Sequence, residues 1–417
     1  MSILRDTISK NRDGRSLGIP CFCTANEHAI KASLNYAAKK NVAIAIEATC
    51  NQVNQEGGYT GMTPQTFMFW VSEMANECGL DKNLLIFGGD HLGPTPWRHL
   101  SVEDAMQKAR YLVKNFVEAG FTKIHIDTSI ACGGEPTPSF EQISERAADL
   151  CAVAEKCAPD PKKLHYIIGT EVPIPGGETE EPGILDVTSV NSLIDTINTH
   201  QDAWNKLGLE NAWQRIVGVV TQPGVDFGHT SIYPYDAKKT VGLRDTILRH
   251  PDLVFEAHST DYQTTEALTA LVKNHFMFLK VGPELTFRFR EAVFAIAKIH
   301  SELTESSPGE FEAFIDQKML DKPKFWKAYY SGTEKEQLLL RKFSYSDRIR
   351  YYWTSTEVTN LLDNLLNSEV LQNIPQSIVS QHFMSYEFGS IPTNPLDLIE
   401  DHIAKCVARY YRAAGIL

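Results

Sequence analysis

The 417-residue sequence predicts an α/β chain of the (β/α)8 TIM-barrel class, carrying a C-terminal helical extension. Three observations predict it. Short apolar, β-branched runs alternate with amphipathic stretches through the first three quarters of the chain. Several of these runs are followed at once by Gly/Pro-rich loops. Beyond Thr304 only helical patterns remain.

Eight runs read as strands: Leu17–Cys23, Val42–Ala48, Leu84–Gly89, Lys123–Asp127, Leu164–Thr170, Ile216–Thr221, Leu253–Ala257 and Phe276–Val281. Between them lie stretches with helical periodicity, including Glu27–Lys39, Pro64–Cys78, Val102–Ala119 and Phe140–Lys156. Parallel strands need long crossovers, and a helix in each crossover covers the sheet face. A doubly wound open sheet would use the same alternation, but eight units suit closure into a barrel. The third, fifth and sixth runs lead into GGDHLGPTP, GTEVPIPGGETEEPG and TQPGVDFGH, where barrel enzymes keep their chemistry. The long loop around Gly176 and Gly177 is expected to be a lid or binding loop. After the helix Phe287–Leu303 come Glu310–Leu320, Glu334–Arg341, Thr356–Leu366 and Leu396–Ala413. Residues 1–303 are therefore expected to form the barrel, and 304–417 an extension packed on it or on a neighbouring subunit of a homo-oligomer.

Composition narrows the function classes. The chain is 43% hydrophobic and 22% charged, with a formal net charge of −12 and no Lys/Arg-rich block. Nucleic-acid binding, which needs a basic stripe, is not expected. No apolar run approaches the roughly 18 residues of a membrane-spanning helix, so no membrane association is expected. The polar start, MSILRDTISKNRDGRS, lacks a signal-peptide core. The eight cysteines contain no CxxC pair and read as reduced thiols, so the expected compartment is the cytoplasm. Cys21 and Cys23 share one strand face, which suits core packing better than a metal pair.

The strand ends are rich in groups that ligate metals or move protons. They read Glu47, Asp90-His91, Asp127, Glu171, Gln222 with His229 a little later, His258 with Asp261, and Gly282 with Glu284. An isolated histidine is more often a packed or surface residue, which is the reading for His99, His200, His250 and His402. His91, His229 and His258 differ because all three follow predicted strands at one rim. Converging there, they would hold a divalent metal, Zn2+ being expected, with positions left open for substrate oxygens. Asp90 is a candidate acid or base, or an orienting partner of its neighbouring ligand. Glu171 is a candidate base or ligand, with an N-cap or loop ion pair as the plainer reading. His125 shares a face with Asp127, but spacing alone does not decide whether that face is interior. The stretches Ser346-Asp347-Arg348 and Arg350-Tyr351-Tyr352-Trp353 suit a cap over the site, a subunit interface or a packed helix.

The blocks IEATCNQVNQEGGYTGMTP, GGDHLGP, FTKIHIDTS, GTEVPIPGG, QPGVDFGH, FEAHSTDYQT, LKVGPELTF and SDRIRYYW resemble those of the GatZ/KbaZ family. Members of that family are known as the non-catalytic subunit of class II D-tagatose-1,6-bisphosphate aldolase. The resemblance implies a barrel related to zinc-dependent class II aldolases, with metal on His91, His229 and His258 and proton transfer by Asp90. It departs from those aldolases where Val281-Gly282-Pro283-Glu284 and Ser259-Thr260-Asp261 replace the Asn-rich segment and the phosphate loop. Relatives that epimerise ketohexoses at carbon 4 suggest an enzyme interconverting tagatose 6-phosphate and fructose 6-phosphate. In that reading Asp90 or Glu171 is the base. Glu47, Asp127, Gln222, Ser259, Asp261, Lys280 and Gly282 contact a ketohexose or its phosphate, with Arg288 as a further source of charge. The alternative is an accessory subunit binding a class II aldolase catalytic chain. The kinase label carried by many relatives finds no GxxxxGK[ST] loop here.

Overall fold

A computed structural model describes residues 2–173, 183, 185–383 and 391–417. The loop around Gly176 and Gly177, expected as a lid, lies outside the described residues. Eight parallel strands close into a barrel: β1 Ile19–Phe22, β2 Ile44–Thr49, β3 Leu85–Leu92, β4 Lys123–Ile126, β5 His165–Ile168, β6 Ile216–Val220, β7 Val254–Ala257 and β8 Phe276–Val281. Each strand pairs with its sequence neighbours, and β1 closes on β8 through Ile19 opposite Phe278 and Phe22 opposite Val281. All eight sequence runs become strands, most of them shorter by a residue or two at their ends.

Local chemistry fixes where the outer helices begin. Asn26 caps Glu27–Lys40 by accepting from the Ala29 amide, and Ser101 caps Val102–Ala119. Thr63 with Thr66, and Ser139 with Gln142, form reciprocal capping boxes. The strands are buried on both faces, as expected where helices cover the outside. Inside, an apolar plug of Ile19, Cys21, Ala45, Ile86, Val217 and Phe278 is closed from below by Leu4 and Ile8 of the N-terminal helix Ile3–Lys10.

The segment after residue 303 is joined to the barrel rather than appended to it. Its last helix, Pro395–Ala413, packs against the helices Glu27–Lys40, Thr265–Lys273 and Glu284–Leu303 and against β1. Tyr410 Oη donates to the Thr260 carbonyl at 2.9 Å, Tyr411 Oη to that of Ala43 at 2.8 Å, and the Gly18 amide to Ala414 at 2.9 Å. Higher up, Asp347 is buried and accepts from Arg290 Nε at 2.8 Å and Thr286 Oγ1 at 2.7 Å. That anchor holds the residues 345–354 over the barrel mouth. No helix among the described residues is long and apolar enough to cross a membrane.

Candidate metal centre and cavity

The floor of the site grows from four charged residues set within otherwise apolar strands. Glu47 on β2, Lys123 on β4, Glu256 on β7 and Lys280 on β8 are all buried. Taking such charges out of water is costly unless each meets a partner. Lys123 Nζ lies 2.8 Å from Glu47 and 2.5 Å from Glu256. Lys280 contacts Glu47 and lies 2.9 Å from Asp90. Space for the Glu47 carboxylate comes from Gly88 on the neighbouring strand, where a Cβ would fall 2.6 Å from the Glu47 side chain.

Three histidines stand on this network. His125 follows Lys123 by two residues and His258 follows Glu256 by two, so strand alternation turns each pair to the same side. His91 and Asp90 are consecutive and would ordinarily face opposite ways. The pairing of β3 with β4 shifts register between Gly89 and Leu92, and His91 takes a left-handed φ of 49°. This local irregularity re-aims a side chain, a recurring use of bulges near sites. The ring centroids of His91, His125 and His258 are 4.8 to 5.2 Å apart.

Each imidazole is held by a different carboxylate. His91 Nδ1 lies 2.8 Å from Asp127, His125 Nδ1 2.8 Å from Asp90, and His258 Nε2 3.0 Å from Glu256. The His91 amide also points at His125 Nδ1, at 3.2 Å. The shorter, charge-assisted contact with Asp90 decides the tautomer: Nδ1 carries the proton and donates it. One nitrogen of each ring is then left to accept. His125 Nε2 is fully buried with no hydrogen-bond partner among the described residues. Ligand atoms of Asp90, His91, His125 and His258 all lie within 4.8 Å of one another.

The charge state of the floor follows from these contacts. Burial pushes the Asp90 and Glu256 carboxyls up, but Lys280 beside Asp90 and Lys123 beside Glu256 win, holding both well below the usual range. Asp127 sits at about 2, burial being outweighed by its bond to His91. Burial drives His258 down to about 4 despite its bond to Glu256. For His91 burial is overcome by Asp90 and Asp127, and its pKa rises. Four buried carboxylates thus face two ammonium groups, leaving two negative charges beside three imidazoles. Orphaned nitrogen, donor set and excess charge all fit one divalent cation. A second cluster, Cys23, Glu47 and Asp90, already holds the Lys280 ammonium between its carboxylates.

Above the floor is a cavity of about 210 Å³. Its wall includes Cys23, Gln52 and Tyr59 from the barrel and Asp226–His229 from the loop after β6. Its roof is Ser346, Arg348, Arg350, Tyr351 and Trp353. The sequence candidates distribute as follows. Asp90, His91, His258 and Lys280 line the cavity bottom, while Ser259, Asp261 and Gly282 form part of its wall. Glu47 and Asp127 are buried behind the lining, as partners of Lys280 and His91. Asp261 accepts from the amides of Gly282 and Glu284, tying the loops after β7 and β8 together.

Other candidates are placed elsewhere. The structure does not bring His229 to the donor group. Its Nε2 lies 2.9 Å from the Tyr329 carbonyl, its Nδ1 3.3 Å from Ser346 Oγ, and its backbone carbonyl accepts from Tyr345. It joins the cavity wall to the roof. Gln222 caps the Gly224 and Val225 amides. Glu171 is exposed and outside the cavity lining. Arg288 is paired with Glu284 and Glu291. The residues sequence reasoning passed over are Lys123, Glu256 and, as a ligand, His125. The signal was there: a lysine or glutamate in the middle of a short apolar strand requires an interior counter-charge.

Two kinds of comparison bear on this site. The family model described as D-tagatose-1,6-bisphosphate aldolase subunit GatZ/KbaZ-like matches residues 4–415. A crystal structure of a probable tagatose 6 phosphate kinase from Sinorhizobium meliloti 1021 is similar, at 39% identity and a TM-score of 0.87, covering 95% of this chain and all of that one. The fructose-bisphosphate aldolase of Campylobacter jejuni has a similar fold, with 10% identity and a TM-score of 0.51 over 99% of this chain and 94% of that one.

Proposed function

The chain belongs to the GatZ/KbaZ-like family, and on that premise we propose that it is a metal-dependent enzyme acting on a ketohexose or its phosphate by retro-aldol and aldol chemistry at carbon 4. The observation that carries this reading is the floor: three carboxylate-held imidazoles converging with Asp90 over two uncompensated negative charges. Asp90, His91, His125 and His258 would hold the ion, Zn2+ being best suited to a nitrogen-rich set. Such an ion supplies Lewis-acid polarisation of a ketose carbonyl and its neighbouring hydroxyl.

The residues themselves favour this chemistry over a Schiff-base route. Lys280 is the lysine at the cavity bottom, and Glu47 and Asp90 hold it protonated, its pKa well above normal despite burial. A protonated amine is no nucleophile. Asp127, Asp90 and Glu256 fix the three ring tautomers and so aim the accepting nitrogens. In the reaction a base takes the C4 hydroxyl proton and the C3–C4 bond breaks. Its electrons pass to the C2 carbonyl, and an aldehyde is released within the cavity. Rotation of that aldehyde and re-addition return the proton and give the C4 epimer, with no redox change. Asp90, whose Oδ1 meets Lys280 while its Oδ2 lies near Cys23 and His91, is the candidate base at the cavity bottom; the exposed position of Glu171 removes it from that role.

The test is direct. Metal-loaded protein is expected to convert D-tagatose 6-phosphate or D-tagatose to the fructose epimer, with deuterium at C4 retained because no C–H bond breaks. No conversion of either sugar, or loss of the C4 deuterium, overturns the reading. A second reading rests on the family description as an aldolase subunit: the chain would stabilise a class II aldolase catalytic chain. Co-purification with such a chain, with no metal and no activity alone, would favour it. The costly buried donor set favours the enzyme, since a scaffold has no need of it.

A further inference from the structure

Epimerisation by cleavage and re-addition makes a demand that one fixed base does not meet. While the C1–C3 fragment stays in place, the aldehyde must offer its other face. Its oxygen then crosses to the opposite side of the C3–C4–C5 plane. A carboxylate fixed on a strand cannot follow that movement. Asp90 is fixed in this way, on β3 with its Oδ1 held by Lys280 at 2.9 Å. The stereochemistry therefore calls for a second proton carrier, facing the floor from across the cavity.

The titratable groups of the lining narrow quickly. Burial pushes the Cys23 thiol well up and the Tyr59 phenol up to about 12. Asp261 is fully buried, with both carboxylate oxygens taken by the amides of Gly282 and Glu284. His229 joins Tyr329 to Ser346. Tyr351 differs. It ends the short 3-10 turn Arg348–Tyr351 in the roof and lines the cavity. Its Oη accepts from Arg350 Nη2 at 2.8 Å. A guanidinium only donates, so this bond uses an Oη lone pair and leaves the phenolic proton to point elsewhere. Among the described residues no acceptor holds that proton. The ring is fixed by stacking on Phe325 at 4.8 Å and by an edge contact with Tyr59 at 4.7 Å. Burial pushes the phenol up, but Arg350 and Arg348 beside it win, and its pKa falls below the ordinary tyrosine value. Asp226, a carboxylate on the ribbon after β6, is the remaining competitor in the lining.

Resting on the reading of the chain as a C4 epimerase, we propose that Tyr351 is the second catalytic acid–base, serving the C4 oxygen from the roof as Asp90 serves it from the floor. From one epimer Asp90 accepts the C4 hydroxyl proton, the C3–C4 bond breaks and its electrons pass to the C2 carbonyl oxygen. Once the aldehyde has turned, C3 adds back to C4 and the carbonyl electrons move to the C4 oxygen. Tyr351 gives that oxygen its phenolic proton. The phenolate left behind is stabilised by the Arg350 hydrogen bond. Loss of one proton to water by Asp90 and gain of one by Tyr351 resets the pair, and the opposite direction uses both groups in reverse. The segment 304–417 thereby supplies half of the acid–base machinery.

The experiment compares metal-loaded, full-length wild type, Tyr351→Phe, Tyr352→Phe and Asp226→Asn. Initial rates are measured from the tagatose and the fructose epimers, as 6-phosphates and as free sugars, between about pH 6 and 10. Metal content and thermal melts verify that each variant is folded. Tyr352→Phe is the control, because it deletes a phenol from the neighbouring residue, whose Oη donates to the Lys322 carbonyl outside the cavity lining. Tyr351→Phe is expected to keep its metal and its KM while kcat falls by roughly 100- to 10,000-fold in both directions. Wild-type kcat should fall at alkaline pH as the phenol ionises, with a midpoint below that of an ordinary tyrosine, and Tyr351→Phe should lose that limb. Tyr352→Phe should keep kcat within about threefold, well short of what loss of a general acid–base costs. A comparable loss in Tyr352→Phe, a loss that falls on Asp226→Asn and spares Tyr351→Phe, or a wild type without the alkaline limb overturns the proposal. So does a Tyr351→Phe variant that loses metal together with activity, which would make the residue structural. If wild type epimerises and Tyr351→Phe does so equally well, this assignment alone fails. If wild type leaves both epimers unchanged, the epimerase reading fails and this assignment falls with it.

Discussion

The floor and the roof of the cavity are both charged and both largely buried, yet they are built on opposite plans. On the floor every charge has a protein partner: Lys123 spans Glu47 and Glu256, and Lys280 spans Glu47 and Asp90. The side chains are short extensions of barrel strands, fixed by the sheet itself. On the roof Arg350 meets, among the described residues, the Ser346 and Asp347 carbonyls and the Tyr351 phenol, on a turn held down by the Asp347–Arg290 pair. A rigid floor of paired side chains on strands suits preorganised metal ligation, while the roof hangs on a turn from a distant part of the chain. The two should therefore fail differently when altered.

The largest effect is expected from the floor's ligands. His125→Ala and His258→Ala should lose bound metal, measured by elemental analysis of native protein. Turnover should fall by more than the 10- to 100-fold typical of losing an outer-shell partner. Asp127→Asn and Glu256→Gln, which alter the partners of His91 and His258 (and, for Glu256, one counter-charge of Lys123), should fall within that range. His229→Ala should keep its metal, because His229 bonds to Tyr329 and Ser346 instead. A His229 variant that loses metal while His125→Ala keeps it would exchange the two assignments.

That contrast also measures what sequence could reveal. The eight strands were legible because β-branched runs between capped helices leave few alternatives, and the Asp90-His91 pair announced itself at a strand end. His229 also follows a strand, but the chain runs through a short ribbon, Asp226–Phe227 with Ile232–Tyr233, before and after it. Eight residues separate it from Val220, enough to carry it off the rim. His125 was hidden by the opposite problem. It sits inside a strand, and strand periodicity states which residues share a face but not which face is interior. Only Lys123, two residues earlier on the same face, could have broken the tie, since a lysine fully buried among strands must meet carboxylates inside. The roof was legible in part: composition offered the stretches Ser346-Asp347-Arg348 and Arg350-Tyr351-Tyr352-Trp353 as a cap, an interface or a packed helix, without deciding among the three. Arg348 and Arg350 lie more than sixty residues beyond β8, and no local pattern states that a distant turn folds back over the mouth.

The next effect concerns stability. Lys123→Met should destabilise the protein by about 3 to 5 kcal/mol, because Glu256 loses its nearest counter-charge and Glu47 keeps only Lys280. Denaturant midpoints would measure it. Asp347→Asn, which leaves Arg290 buried and unpaired, falls in the same range but separates floor from roof in its consequences. Metal content should be unchanged, while KM for the phosphorylated sugar rises as the roof loosens. Metal loss in Asp347→Asn would mean that the two surfaces are coupled and not independently built.

The smallest effect asks whether it is the carboxylates, and not burial, that make the floor histidines distinctive. His200 is buried in the outer helix Val190–Lys206 and offers a control. Its Nδ1 contacts Thr196 and Ser144, with no carboxylate, and burial lowers its pKa to about 4. His91 is equally buried, but Asp90 and Asp127 raise its pKa. The sign for His200 follows from linkage. Between about pH 6.5 and 4 the unfolded chain binds a proton that the native state refuses, so stability falls as pH drops through that window and levels off below it. The depression is worth about 3 kcal/mol at its full extent. His200→Gln should flatten that part of the stability profile in urea unfolding at pH 4.5 and 7 while leaving metal content and KM alone. An unchanged slope would mean that His200 gains a compensating partner on protonation. Its low pKa would then no longer serve as the measure of what burial without carboxylates does to an imidazole in this protein.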